Sequence, residues 1–154
     1  MSDPVIRTYL GRLPFLEGLS STHLDQLASF AVATRYTAQQ RLFKSDTDAD
    51  SFYIVRDGKV GVEIPAVAGE PLRIQTLGND GVLGWSWLIP PYRWLFDARA
   101  LTASDIITVD GAKLRQQCET DAVLGYQLLK RFAVLMAERL NASRLAAIKE
   151  YSGA

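Results

Sequence analysis

The chain has one cysteine, one histidine and no excess of either charge, and each shortage closes a class of function. A lone Cys118 forms no internal disulfide and suits a reducing cytoplasm. Its only neighbouring cation is Arg115, too little to mark an activated thiolate. His23 lies far in sequence from any Cys or His cluster, so no metal site is expected. Ser86 sits in Gly84-Trp85-Ser86-Trp87-Leu88, which begins like a nucleophile elbow but lacks its final glycine. With His23 on a distant helix, no nucleophile–base pair forms, no catalytic residue is assigned, and His23 reads as a solvated helix residue. Lys plus Arg and Asp plus Glu both number 17, and no basic stripe exists to track nucleic acid or an anionic membrane. No signal-peptide core is seen, and no apolar run reaches the roughly 18 residues of a membrane span. Glycine-rich phosphate loops are missing too.

Aromatic residues, by contrast, are crowded into one place. Residues 84–100 (GWSWLIPPYRWLFDARA) hold all three tryptophans, a Pro-Pro pair, a Tyr, a Phe and two arginines. A segment between strands is normally small and polar. These rings must either plug a core or offer flat faces to a ligand, and both readings stay open here.

The rest of the chain falls into three parts of one domain, 1–154. Residues 14–31 space Leu16, Leu19, Leu24, Leu27, Ala28 and Phe30 helically, with Ser20, Ser21 and Thr22 as capping types, and predict a helix from about residue 22. Residues 32–110 read as strands between turns. Asp57-Gly58 inside Ser51–Ile64 predicts a hairpin, 65–71 a second turn, and Leu72–Leu77, Leu95–Leu101 and Ile106–Val109 further strands. From Gly111 the helical period returns and runs through 121–151. Along it Leu129, Ala133, Met136, Leu140, Ser143 and Ala147 follow 4-3-4-3-4 spacing, a seam predicted to pair with a second copy.

This order of parts resembles the cyclic-nucleotide-binding domain, the sensor half of bacterial CRP/FNR-type regulators and the regulatory module of cyclic-nucleotide-dependent kinases and channels. The resemblance rests on Pro14-Phe15-Leu16, on Phe52-Tyr53-Ile54-Val55 with Gly58, and on Leu77-Gly78 through Gly84. It implies an α+β fold: a β jelly-roll barrel, cupin-like, with N-terminal helices and a long C-terminal helix. Residues 13–110 would form the helical lead-in and barrel, and 111–151 the C-terminal helices of a homodimer.

In that family a cassette of the form Gly-Glu-Leu-(Ala/Ser)-Leu, followed by Pro-Arg-(Ala/Ser)-Ala, binds the ribose hydroxyl through Glu and the cyclic phosphate through Arg. Here Gly84 is followed by Trp85 at the Glu position, and Trp94 falls at the Arg position with Arg93 one residue earlier. Losing both partners costs several kcal/mol of recognition, at about 1.5–3 kcal/mol per charged hydrogen bond. Cyclic AMP is therefore not the expected ligand. Gln39 and Asp46 also replace turn glycines of the family, which predicts a rebuilt turn. If Trp94 starts a strand, alternation puts Trp94, Phe96, Ala98 and Ala100 on one face, with Leu95, Asp97 and Arg99 on the other.

The resemblance implies a nucleotide second messenger, with cyclic di-GMP preferred because two bases use more rings. Trp85, Trp87, Tyr92 and Trp94 would stack on bases beside Gly84, Arg93 or Arg99 would take phosphate or guanine edges, and Asp97 would accept from guanine N–H groups. The ligand is regulatory; no cofactor is expected. The alternative is a ligand-free scaffold with tryptophans filling the former pocket. CRP/FNR-type regulators continue into a helix-turn-helix, whereas this sequence stops at Ala154. The expectation is therefore a cytoplasmic homodimer (Leu129, Met136, Leu140, Ala147) that signals through a partner protein, without direct DNA or membrane binding.

Overall fold

Asp3 and Ser20 open the two N-terminal helices by the same device. The Asp3 carboxylate accepts from the Val5 N–H ahead of α1 (Pro4–Arg12), and the Ser20 hydroxyl accepts from the His23 N–H ahead of α2 (Ser21–Ser29). A short 3₁₀ turn, Pro14–Leu16, joins them. The structure is a computed structural model and describes residues 3–151. Helix α1 precedes the expected helical region. It buries Ile6 and Leu10, one turn apart, against the same core as α2.

Eight strands follow: β1 (Ala31–Tyr36), β2 (Arg41–Phe43), β3 (Ser51–Asp57), β4 (Val60–Ile64), β5 (Leu72–Leu77), β6 (Val82–Leu83), β7 (Asp97–Ala100) and β8 (Ser104–Asp110). They form two antiparallel sheets, ordered β1-β8-β3-β6 and β2-β7-β4-β5, the jelly-roll arrangement expected. The Asp57-Gly58 turn is not a hairpin. Its flanking strands belong to different sheets: β3 pairs with β8 and β6, whereas β4 pairs with β5 and β7. The turn is a corner of the barrel. The hairpin of this region is β4–β5, closed by residues 65–71.

Strand β3 explains why the corner resembles a hairpin in the sequence. Phe52 and Ile54 point to a core shared with the helices, while Tyr53 and Val55 point into the barrel, and all are buried. Strand β8 does the same with Ile107 and Val109 on one side and Ile106 on the other. A strand buried on both faces reads as a continuous apolar run, so alternation is not available to reveal which sheet it joins.

Helices α3 (Gly111–Thr120) and α4 (Ala122–Tyr151) complete the chain. Leu124, Leu128 and Phe132 of α4 close the helical core, and Arg131 donates to the Phe15 and Glu17 carbonyls, pinning α4 to the 3₁₀ turn. The expected seam lies on a neighbouring face: Leu129 and Leu140 are exposed, with Ala133 and Ala147, while Met136 and Ser143 are half-buried. Past Arg139 the helix runs beside β5, leaving an open groove of about 510 Å³ between Ala142, Leu145 and Ala146 and the strand residues Leu72 and Ile74. His23 is not solvated. Only 12% of its side chain is exposed, and its Nε2 lies 2.9 Å from Asp121 Oδ2 at the α3–α4 junction. The Leu124 N–H holds the Asp121 carboxyl below its usual range, and His23 adds to this.

Trp87 is the largest fully buried side chain, set among Phe52 and Phe132 with ring centroids 5.5 and 5.4 Å away. Among the described residues its Nε1 has no hydrogen-bond partner. Trp87→Ala should cost about 3–5 kcal/mol by urea unfolding, from lost burial and a residual cavity. Trp87→Phe should cost only about 1–2 kcal/mol, because the change also removes an unsatisfied donor. Equal losses for the two variants would contradict this account.

Candidate functional site

The aromatic segment is held by a backbone zipper. Between residues 46–49 and 92–94, Asp46 N–H donates to the Trp94 carbonyl at 2.8 Å, Trp94 N–H to Thr47 at 2.9 Å, and Ala49 N–H to Tyr92 at 2.8 Å. Alternation along this short extended pairing sends Trp94 inward and Arg93 outward. Gln39 and Asp46 adopt φ of 74° and 62°, so the turns keep their left-handed residues without glycine.

The tryptophans part company. Trp87 belongs to the helical core, as described above. Trp94 enters the barrel and stacks on Phe43 of β2, with centroids 3.7 Å apart and planes 10° from parallel. Trp85 is half-buried, edge-on to Phe96 at 6.1 Å. A regular strand starts only at Asp97, yet the predicted faces hold for Trp94, Ala98 and Ala100, which are buried, and for Leu95, which is exposed.

Several residues expected at the site are engaged elsewhere. Arg93 pairs with Asp46 at 3.2 Å and Asp48 at 2.9 Å on the outside of the zipper. Buried Asp97 accepts from the Ser45 N–H at 2.7 Å and ties down the β2–β3 connection. Arg99 pairs with Glu63 at 2.7 Å, a carboxylate it shares with Arg73. Tyr92, at φ 59°, lies under the Arg115 guanidinium at 4.0 Å, and Arg115 also donates to the Trp87 carbonyl. These contacts brace the cassette. Cys118 is also set apart: burial, then Asp121 and Glu119, push its thiol up to about 11, so little thiolate exists near neutral pH.

What remains together is a cleft between the cassette and α4. Gly84, Trp85, Trp94 and Phe96 face Phe43 on one side and Arg139 of α4 on another. The free space among them is about 10 Å³, room for about one water. The sequence reading did not include Arg139 or Phe43 in the site. Arg139 carries a signal of its own, as a lone cation at the next step of the buried helix face after Leu124, Leu128, Phe132 and Leu135. The barrel mouth is thus shut, and a ligand would enter only by displacing a ring.

A family profile described as the cyclic nucleotide-binding domain matches residues 33–121. The chain is 27% identical over 135 residues to Glutaminase 1 of Bradyrhizobium diazoefficiens, covering 86% of this chain but only 21% of that protein. Among solved structures, a protein of Geobacter metallireducens described as cyclic nucleotide-binding superposes with a TM-score of 0.79 at 23% identity, covering 87% of this chain and 97% of that one. The regulatory subunit of a cAMP-independent protein kinase A from Trypanosoma cruzi, bound to guanosine, gives 0.68 at 22% identity, covering 84% and 45%. At these identities the structural likenesses establish the fold.

Gly84 lets the Phe43–Trp94 pair exist. Its φ is 100°, and a Cβ there would lie 2.8 Å from the Trp94 ring. Gly84→Ala should therefore destabilise the fold by roughly 1–3 kcal/mol and expose Trp94. Unfolding curves and the tryptophan emission maximum measure both effects. An unchanged emission spectrum would refute the packing constraint.

Proposed function

Because the chain belongs to the cyclic nucleotide-binding domain family, we propose that it is a cytoplasmic regulatory module sensing a nucleotide second messenger, cyclic di-GMP rather than cyclic AMP. The carrying observation is that cassette and C-terminal helix line one cleft: Trp85, Trp94 and Phe96 on one side, Arg139 on the other. Anything bound there touches the sensing segment and α4 together, so it favours one helix position over another. Ligand contacts fall to Gly84, Trp85 and Trp94. Base stacking on the rings, worth about 1–3 kcal/mol per base, replaces the ion pair and hydrogen bonds that a Glu and an Arg would supply to cyclic AMP. The guanosine bound by the Trypanosoma cruzi relative, which is cAMP-independent, supports a guanine-based ligand on this fold.

A second reading has its own observation in favour. The close Phe43–Trp94 stack and the near-absence of free space describe a filled pocket, which suits a ligand-free interaction domain. A thermal-shift and calorimetry panel of cyclic AMP, cyclic GMP, cyclic di-GMP and guanosine separates the two. At 100 times its dissociation constant, a true ligand should add about 2.7 kcal/mol of stability. Cyclic di-GMP should do so and also shift tryptophan emission as Trp94 leaves Phe43. Silence across the panel would leave the filled-pocket reading.

The α4 seam is assigned to a second copy of the chain, since Leu129, Ala133, Met136, Leu140 and Ala147 present a self-complementary apolar stripe at coiled-coil spacing. Sedimentation should give a dimer for the native chain and a monomer for Leu129→Asp/Leu140→Asp. A native monomer at tens of micromolar would end this assignment.

A further inference from the structure

Arg139 is 3% exposed, yet no carboxylate lies within ion-pairing distance of it among the described residues. Its Nε donates to Gln75 Oε1, a neutral acceptor. Its guanidinium carbon stands 5.1 Å from the Trp85 ring centroid and 5.9 Å from that of Phe96. Two acids border the neighbouring groove, Asp80 and Glu138. Asp80 already accepts from the Tyr9 hydroxyl at 2.6 Å, and Glu138 is exposed on the helix. Among the other partly buried arginines, Arg7, Arg56 and Arg99 hold carboxylates and Arg131 holds carbonyls, while Arg115, like Arg139, has one neutral acceptor and a ring face but is more exposed.

A guanidinium offers five donors in a planar fork, and Arg139 here uses one on Gln75. Burying such a cation without an anion costs several kcal/mol, and one neutral hydrogen bond with two ring faces offsets only part of that. Desolvation is strong enough to draw its pKa down to about 10. It is also placed where charge is otherwise missing. Trp85 and Trp94 occupy the cassette positions that a Glu and an Arg would fill, while Arg139 reaches the same cavity from the opposite wall.

We infer that Arg139 is the anion-binding residue of the cleft, taking a phosphate group of a nucleotide whose base stacks against the cassette rings. The inference rests on the reading that the cleft holds a ligand. The guanidinium fork matches two phosphate oxygens, and the flanking Trp85 and Phe96 faces keep it aimed into the cavity. An uncharged nucleoside leaves the fork unpaired. The unliganded protein therefore carries a destabilising charge that an anionic ligand neutralises.

The test compares native protein, Arg139→Gln and Arg139→Lys by thermal shift and calorimetry at matched ionic strength. The probes are pyrophosphate, cyclic di-GMP and uncharged guanosine. The glutamine variant should melt above the native protein when no anion is added. It should show no pyrophosphate-dependent shift, and should bind cyclic di-GMP at least about tenfold more weakly with guanosine affinity unchanged. Arg139→Lys, which keeps charge but loses the fork, should bind cyclic di-GMP about tenfold more weakly than native, and it decides the matter if the glutamine variant fails to fold. Equal cyclic di-GMP affinity in native and variant proteins overturns the role of Arg139 while leaving the nucleotide reading intact. An Arg139-dependent response to pyrophosphate without any response to nucleotides keeps the anion site and removes the nucleotide reading. No response to any probe removes both.

Discussion

The contact between Phe43 and Trp94 governs this molecule more than any other pair. Two flat rings at 3.7 Å occupy the mouth of the barrel, and several otherwise unrelated features exist to hold them there. Gly84 gives way to the indole, the zipper of residues 46–49 on 92–94 delivers it, and Asp97 anchors the connection that follows Phe43. An aromatic pair of this kind adds about 0.5–1.5 kcal/mol beyond the area it buries. That is of the same order as the stacking energy one base could offer in exchange. The barrel mouth is consequently closed by an interaction that a ligand ring can match in kind.

The two sides of the cassette divide its labour. Inward-facing residues contribute rings, and outward-facing residues contribute charges that neutralise one another locally: Arg93 with Asp46 and Asp48, Arg99 and Arg73 with Glu63. The exposed Arg93 pairs add little stability individually but fix side-chain direction, whereas Arg99 and Arg73 neutralise the buried Glu63 carboxylate. They leave Arg139 as the charged group of the cleft lining. Among the described lining residues, charge enters from the helix, and the cassette adds the Ser86 hydroxyl.

The order of elements was legible because it follows from local rules: capping at Ser20, the return of helical spacing at Gly111, and apolar runs between turns. Trp94 as an inward residue was legible from alternation. Other features depend on contacts that no local pattern encodes. Asp57-Gly58 looks like a hairpin because both faces of β3 are apolar, and only the partner sheets distinguish a corner from a hairpin. Trp85, Trp87 and Trp94 are equivalent by composition and diverge only through which wall each meets. Arg93 and Asp97 carry suitable chemistry for a ligand, but nearby Asp46, Asp48 and the Ser45 amide engage them first. Helix α1 could have been read from Asp3-Pro4 and the Ile6–Leu10 spacing, since it is as long as α2.

The pin that Arg131 drives into the 3₁₀ turn makes α4 a lever with its fulcrum near the N-terminal helices. At 1.5 Å of rise per residue, Arg139 lies roughly 12 Å along the arm and Tyr151 roughly 30 Å. Tilting about that fulcrum is thus magnified roughly two-and-a-half-fold between the cleft and the helix tip. The open groove between the last turns and β5 gives the arm room to swing. A shift of a few tenths of an ångström at Arg139 would arrive at the far end as nearly the length of a bond.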